Sequence, residues 1–193
     1  MFNDLIVELT KNNYFCDAFK IPRYIESAIE ASYENPERKA NRLYRTMGDC
    51  QLVLRFFAFM DDVNIKGSVR SMLDGTMERF ANSKPEDLVQ LHAAFDRVIE
   101  AAVQIFGVSV FTLPPDARGV RRLSVAIYDA VVGALFRRID KVDLYLAVAQ
   151  SIAIELDRIC IEDPELMTAR ANTAPSIKER ISAVLKVLDG LVP

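Results

Sequence analysis

The sequence predicts an all-α fold, an irregular bundle of about eight or nine helices. Three observations carry that expectation. Apolar residues recur at helical spacing through most of the chain, which places them on one face of each segment. Helix start and stop signals follow one another at short intervals, with short connections. Strand signals are nearly absent, and neither an internal repeat nor a low-complexity tract interrupts the pattern. The 193 residues form one helical domain, 1–193, whose only place for a subdivision, into 1–107 and 120–193, is the loop 108–120.

The first segment places Phe2, Leu5, Ile6 and Leu9 on one helical face. It starts at once, with no polar leader, as if cut from something longer. Ile21-Pro22 breaks the chain before a helix from Arg23 to about Tyr33, with Tyr24, Ile25, Ala28 and Ile29 inward, and Asn35-Pro36 ends it. A short basic helix from Glu37 to Tyr44 leads into the central stretch, Arg45 to Val63. There Leu52, Phe56, Phe59, Met60 and Val63 form a stripe that Val53 and Phe57 widen. Only Gln51, Arg55 and Asp61-Asp62 interrupt it, so this helix is expected to be buried on most sides. Thr46 with Asp49 resembles a capping box, and Asp49 is the alternative N-cap.

Asn64 to Lys66 make a turn, and Gly67-Ser68 open a helix carrying Val69, Met72, Leu73, Met77 and Phe80. Ser83-Lys84-Pro85-Glu86 is the clearest start signal: a cap serine, an early proline and a glutamate for the capping box. Its helix presents Leu88, Leu91, Phe95, Val98, Ile99, Ala102 and Phe106, and Gly107 ends it. Val108 to Phe111 form a short extended piece without an obvious partner strand, before a Pro- and Gly-containing loop. Ser124 caps a helix with Val125, Tyr128, Val131, Val132, Leu135 and Ile139 available for burial. Another helix spans about Val142 to Ile161, and Asp163-Pro164-Glu165 caps a short one. Thr173 to Ser176 precede the last, with Ile177, Ile181, Val184, Leu185 and Leu188 inward before Gly190.

Composition narrows the function classes. At 51% hydrophobic and 26% charged residues the chain matches an ordinary globular protein, long enough to bury a real core. A net charge of −3 gives no global field toward nucleic acid or anionic lipid. Cys16, Cys50 and Cys160 are odd in number and lack Cys-x-x-Cys spacing, which points to reduced thiols in a cytoplasmic setting. The start of the chain lacks the features of a signal peptide, and no uncharged stretch approaches the ~20 residues that span a bilayer.

Little catalytic chemistry is visible. The single histidine, His92, sits within an amphipathic helix and reads as the edge of a packed face rather than a general base. The seven glycines are scattered, without a phosphate-cradling loop, and His and Cys are too sparse for a zinc site; no cofactor is expected. Asp61-Asp62 and Glu162-Asp163 read as solvated helix ends, since adjacent helical residues point about 100° apart. Arg55 stands out, because a guanidinium in an apolar helix must snorkel or meet a carboxylate. A structural ion pair or an interdomain contact is expected, and Arg55→Ala is expected to cost more stability than Arg38→Ala. The remaining candidates are basic. Arg38, Lys39, Arg42 and Arg45 occur with no acid among them beside Tyr44, a stripe able to hold nucleic-acid phosphates or to form a solvated face balanced by Glu34, Glu37 and Asp49. Arg118, Arg121, Arg122, Arg137, Arg138 and Lys141 are interleaved with acids and carry less weight.

Arg45, Asp49, Leu52-Val53-Leu54-Arg55-Phe56 and Ala58-Phe59 resemble the R…D-E-x-V-L-R-F-x-A-F segment of the GmrSD-type proteins, a family with a ParB-like nuclease/NTPase half at its N-terminus. Further stretches agree in order. Phe2 to Ile6 with Glu8-Leu9 resembles the helix after the catalytic half, and Met72-Leu73-Asp74 with Met77 the F-L-D…M helix. Phe95 to Gly107 with Phe111 resembles the F…V-F-G…F segment, Leu123 to Ala130 the N-x-A-L-F-D-A helix, and Thr173 with Arg180-Ile181 the closing helix. Gln51 stands where the pattern has an acid, and Ser124 where it has asparagine. The family's Asp-Gly-Gln-Gln-Arg motif and its occasional HNH domain have no counterpart in these residues. The resemblance thus implies the helical, non-catalytic half of an anti-phage restriction protein, a truncated or split-gene product. It implies a ParB-like partner chain or self-association. The alternative is an autonomous helical nucleic-acid-binding or regulatory protein using Arg38 to Arg45.

Overall fold

In the computed structural model, which describes residues 1–24, 36–167 and 172–192, regular structure is helical throughout. Among the described residues there are eleven α-helices: α1 (Phe2–Leu9), α2 (Asn13–Phe19), α3 (Pro36–Ala40), α4 (Arg42–Arg45), α5 (Gly48–Phe59), α6 (Val69–Phe80), α7 (Pro85–Phe106), α8 (Val125–Phe136), α9 (Val142–Ala147), α10 (Ala149–Glu162) and α11 (Ala174–Leu191). They form no strand; extended pairing is limited to isolated bridges at Ser68–Thr173 and Thr112–Leu123.

Burial follows the apolar spacing. Phe2, Leu5, Ile6 and Leu9 of α1 all face inward, and α5 buries Leu52, Val53 and every residue from Arg55 to Phe59. The deepest element is α8, buried without a break from Ala126 to Leu135. Its small side chains explain its place: Ala, Val and Gly let α5, α7 and above all α11 approach it closely. A β-carbon at Gly133 would lie 2.9 Å from Ile181 Cδ1 of α11. Aromatic rings tie the outer helices to this centre. Phe56 meets Phe95 edge-on at 5.2 Å, and Phe111 lies 5.1 Å from Phe19 and 5.0 Å from Tyr128.

Several boundaries differ from the sequence expectation. The helix expected from Arg23 to Tyr33 lies mostly outside the described residues. Helix α2 was not anticipated; Asn12 caps it by accepting the Phe15 N–H at 3.0 Å. The basic segment is two short helices, because Asn41 caps α4 and so ends α3. No capping box opens α5: Thr46 Oγ1 donates back to the Arg42 carbonyl, and Met47 is the N-cap. The helix ends at Phe59, and Val63, expected inward, is 71% exposed within a short turn whose cap, Asp61, accepts its N–H. At α7 the cap sits one residue later than expected, with Asp87 rather than Glu86 accepting the Lys84 N–H at 3.1 Å. Residues 108–111 form a turn, and the loop doubles back so that Ser124 N–H donates to Phe111 O at 2.8 Å. The long helix expected from Val142 is interrupted at Val148. Ser68 and Ser124 open α6 and α8 as expected, whereas α11 starts earlier than expected, at Ala174, because Thr173 is its cap and accepts the Ser176 N–H. Asp163 caps a turn by accepting the Leu166 N–H, and the segment beyond that turn lies partly outside the described residues. Among the described residues no helix is long and apolar enough to cross a membrane.

Candidate functional site

The polar groups of the fold's centre come from three helices. Arg55 points from α5 toward α8, where its Nε donates to Asp129 Oδ1 at 2.8 Å and its Nη2 pairs with Oδ2. The two residues are 6% and 0% exposed, and the guanidinium also lies 5.1 Å from the Phe59 ring centroid. Next to Asp129, the Tyr128 hydroxyl donates to the Leu52 carbonyl at 3.0 Å, a second polar tie between α8 and α5. Arg180 of α11 is 1% exposed and brings a second guanidinium whose field reaches Asp129. Burial pushes the Asp129 carboxyl above its ordinary range, with the hydrogen bond and charge of Arg55 and then the charge of Arg180 opposing it. Burial alone would lower Arg55, but its pairing with Asp129 outweighs that and holds it above its usual value. Arg180 is pushed down by burial, which Asp129 opposes. A bidentate pair this enclosed satisfies charge and fixes helix positions; it offers no open face to a substrate.

The basic stripe is not all on the surface. Arg38 is 4% exposed and donates to Pro22 O at 2.5 Å and Thr10 O at 3.2 Å, with its guanidinium 5.0 Å from the Tyr44 ring centroid. It therefore ties the α1–α2 corner to α3, which corrects its expected place on an outward, phosphate-binding face. The acceptors are main-chain carbonyls, which no residue pattern reveals. Lys39, Arg42 and Arg45 are exposed. In the later basic group, Arg121 pairs with Asp157, Arg122 with Asp116, Arg137 with Asp62 and Arg138 with Asp189 at 2.7–3.2 Å. Each of those four arginines thus meets a carboxylate.

All three cysteines are free. Burial pushes the Cys50 thiol up to about 11 and the Cys160 thiol to about 12, with nearby Asp49 and Asp157 adding to it, and raises Cys16 as well. These are thiols held in their unreactive form. Asp61, Asp62, Glu162 and Asp163 are exposed, as expected of helix ends. Among the described residues no group of His, Cys, Asp and Glu is arranged to hold a metal ion. His92 is half-exposed on α7, with Nδ1 3.1 Å from Asp96 Oδ2.

An apolar groove of about 770 Å³ opens between α1, α5 and α6, lined by Ile6, Val7, Met47, Leu54, Leu73 and Met77 among others. Met47 at its rim is 61% exposed and left-handed, with φ 53°, a conformation that costs a non-glycine residue about 1–2 kcal/mol. No sequence signal marked this groove, since each residue alone reads as part of a helix face.

Comparison with protein-family models, with curated proteins and with solved structures finds no match.

Proposed function

We propose that the chain is a non-catalytic helical scaffold or regulatory domain like the C-terminal half of GmrSD-type restriction proteins, working with a ParB-like partner chain. The observation that carries this reading is where the polar residues of the resembling motifs lie. Asp49, Arg55, Asp129 and Arg180 come from three motifs far apart in sequence, and all are buried. The arginine of the Leu-Arg-Phe motif pairs with the aspartate of the Tyr-Asp-Ala motif. Such positions are what a helical half needs to hold itself together, and none is placed to touch substrate. The groove beside α1 gives a ParB-like partner an apolar face to cover.

The test is co-expression with the adjacent reading frame, then size exclusion with light scattering. A stable complex with a ParB-like chain is expected, lost on Met47→Asp. A neighbour without ParB-like character, together with a strictly monomeric chain, would overturn the proposal.

Lys39, Arg42 and Arg45 support a second reading, a nucleic-acid-binding protein, because all three stay exposed within one short segment. Replacing them together with alanine would then weaken retention of DNA or RNA and flatten its salt dependence. An unchanged, salt-insensitive result would remove this alternative.

A further inference from the structure

Helix α10 is buried on one side only. Ile152, Leu156 and Cys160 face the core, while Ile154 and Ile161, on the opposite side, are 63% and 65% exposed. Between these isoleucines the outer face carries Asp157 and Arg158, because residues three and four apart share a helix face. The outer stripe therefore reads apolar, acid, base, apolar.

That order is its own complement when reversed. Let a second α10 lie antiparallel across a twofold axis passing between Asp157 and Arg158. Ile154 then faces Ile161 of the second copy, and Asp157 faces its Arg158. The same contacts recur beyond the axis, so all four positions match, apolar with apolar and acid with base. A parallel pairing would instead set aspartate against aspartate and arginine against arginine.

The surroundings of the stripe fit the same arrangement. Ile154 and the exposed Val108 line an opening of about 470 Å³, with Phe106, Val110 and Leu156 on its apolar wall. An incoming Ile161 arrives at Ile154 and so at the mouth of that opening. Arg121 lines it as well and pairs with Asp157 at 2.7 Å. It adds a cation where Glu162 of the second copy comes opposite Ala153. Within one chain Arg158 is held by Glu155 and Glu162 of its own helix. Exposed pairs of that kind contribute little, so turning the guanidinium toward Asp157 of the second copy costs little.

We propose that the outer face of α10 is a self-association surface, occupied by a second copy of this chain bound antiparallel about a twofold axis. One helix pair with its flanking loop stays below the ~1,200 Å² of a standard interface, so the dimer is weak, with a Kd of about 10–100 μM. Among the described residues the groove between α1, α5 and α6 takes none from α10. A partner in that groove and a second copy on α10 can therefore bind together, and self-association is independent of the scaffold role.

The test is sedimentation equilibrium of the full chain at moderate salt, from about 5 to 500 μM so as to bracket that Kd. Wild type is expected to pass from monomer to dimer across the range. Arg158→Asp sets acids against acids and Asp157→Arg sets bases against bases, so each variant alone is expected to stay monomeric. Mixed in equal amounts, the two are expected to dimerise with each other, since the acids of one chain then face the bases of the other. Misfolding of either variant cannot mimic that recovery. Met47→Asp, in the groove, is expected to dimerise as wild type does. A wild type that stays monomeric to the top of the range overturns the proposal. So does an Arg158→Asp chain that dimerises like wild type, a mixture of folded variants that stays monomeric, or a dimer lost on Met47→Asp.

Discussion

At Arg55 the outcome turns on how much of a buried guanidinium the fold can satisfy. Desolvation alone would expel it, and the bidentate contact with Asp129 keeps it. Replacing Arg55 with Met leaves Asp129 buried without its main partner, so a loss of about 3–5 kcal/mol in urea unfolding is expected. Arg55 is also the largest influence lowering the Asp129 carboxyl, so its removal raises that group further. A raised carboxyl contributes stability below the ordinary carboxylate range and loses it as pH rises. The Arg55→Met deficit should therefore be largest at neutral pH and shrink toward about pH 4–5. A deficit that grows on acidification would contradict this. Arg38→Ala should cost less, about 1.5–3 kcal/mol, through its carbonyl contacts. Arg42→Ala, on the surface, should stay within about 0.5 kcal/mol. The thiols give a further check. At pH about 8 a disulfide reagent should label the native chain slowly, and all three cysteines should react on unfolding; fast native labelling would mean that Cys50 and Cys160 are not held protonated. The need of Arg55 for a partner was legible in the sequence, since a charge interrupts an apolar stripe. Its partner was not, because Asp129 lies 74 residues away in a segment that also reads as helix.

Helices with one apolar face and a cap residue before it were legible, as α6 shows. Helix α2 was not, because Asn12 sits inside a run that continues the periodicity of α1. The depth of α8 was also hidden: a helix buried on every side has no polar face to define it. Two glycines test the account of packing. Gly133 faces α11 at a distance that leaves no room for a methyl group, so Gly133→Ala should destabilise by about 1–3 kcal/mol despite better helix propensity. Gly75 on α6 has nothing within 4 Å of the added carbon, so Gly75→Ala should stabilise by about 0.8–1 kcal/mol. Thermal melts of the two variants should move in opposite directions. Shifts of the same sign would mean that α8 and α11 are not in contact as described.

Across the whole molecule, the loop 108–120 was the one visible place for a division of the chain. One buried apolar cluster nevertheless runs from Phe2 to Val192, and Phe111 within that loop packs between Phe19 and Tyr128. The Arg55–Asp129 pair joins a helix before the loop to one after it. All-α architecture was legible because periodicity is local, whereas the convergence of Arg55, Asp129 and Arg180 depends on how α5, α8 and α11 cross. The reading of these motif residues as the internal frame of a scaffold rests on that convergence. A double-mutant cycle of Arg55→Met and Asp129→Leu, read by urea unfolding at neutral pH, tests it most directly. The account predicts that each single change costs several kcal/mol, about 3–5, while the double variant recovers most of the loss, giving a coupling above about 2 kcal/mol. Effects that add within about 0.5 kcal/mol would contradict it.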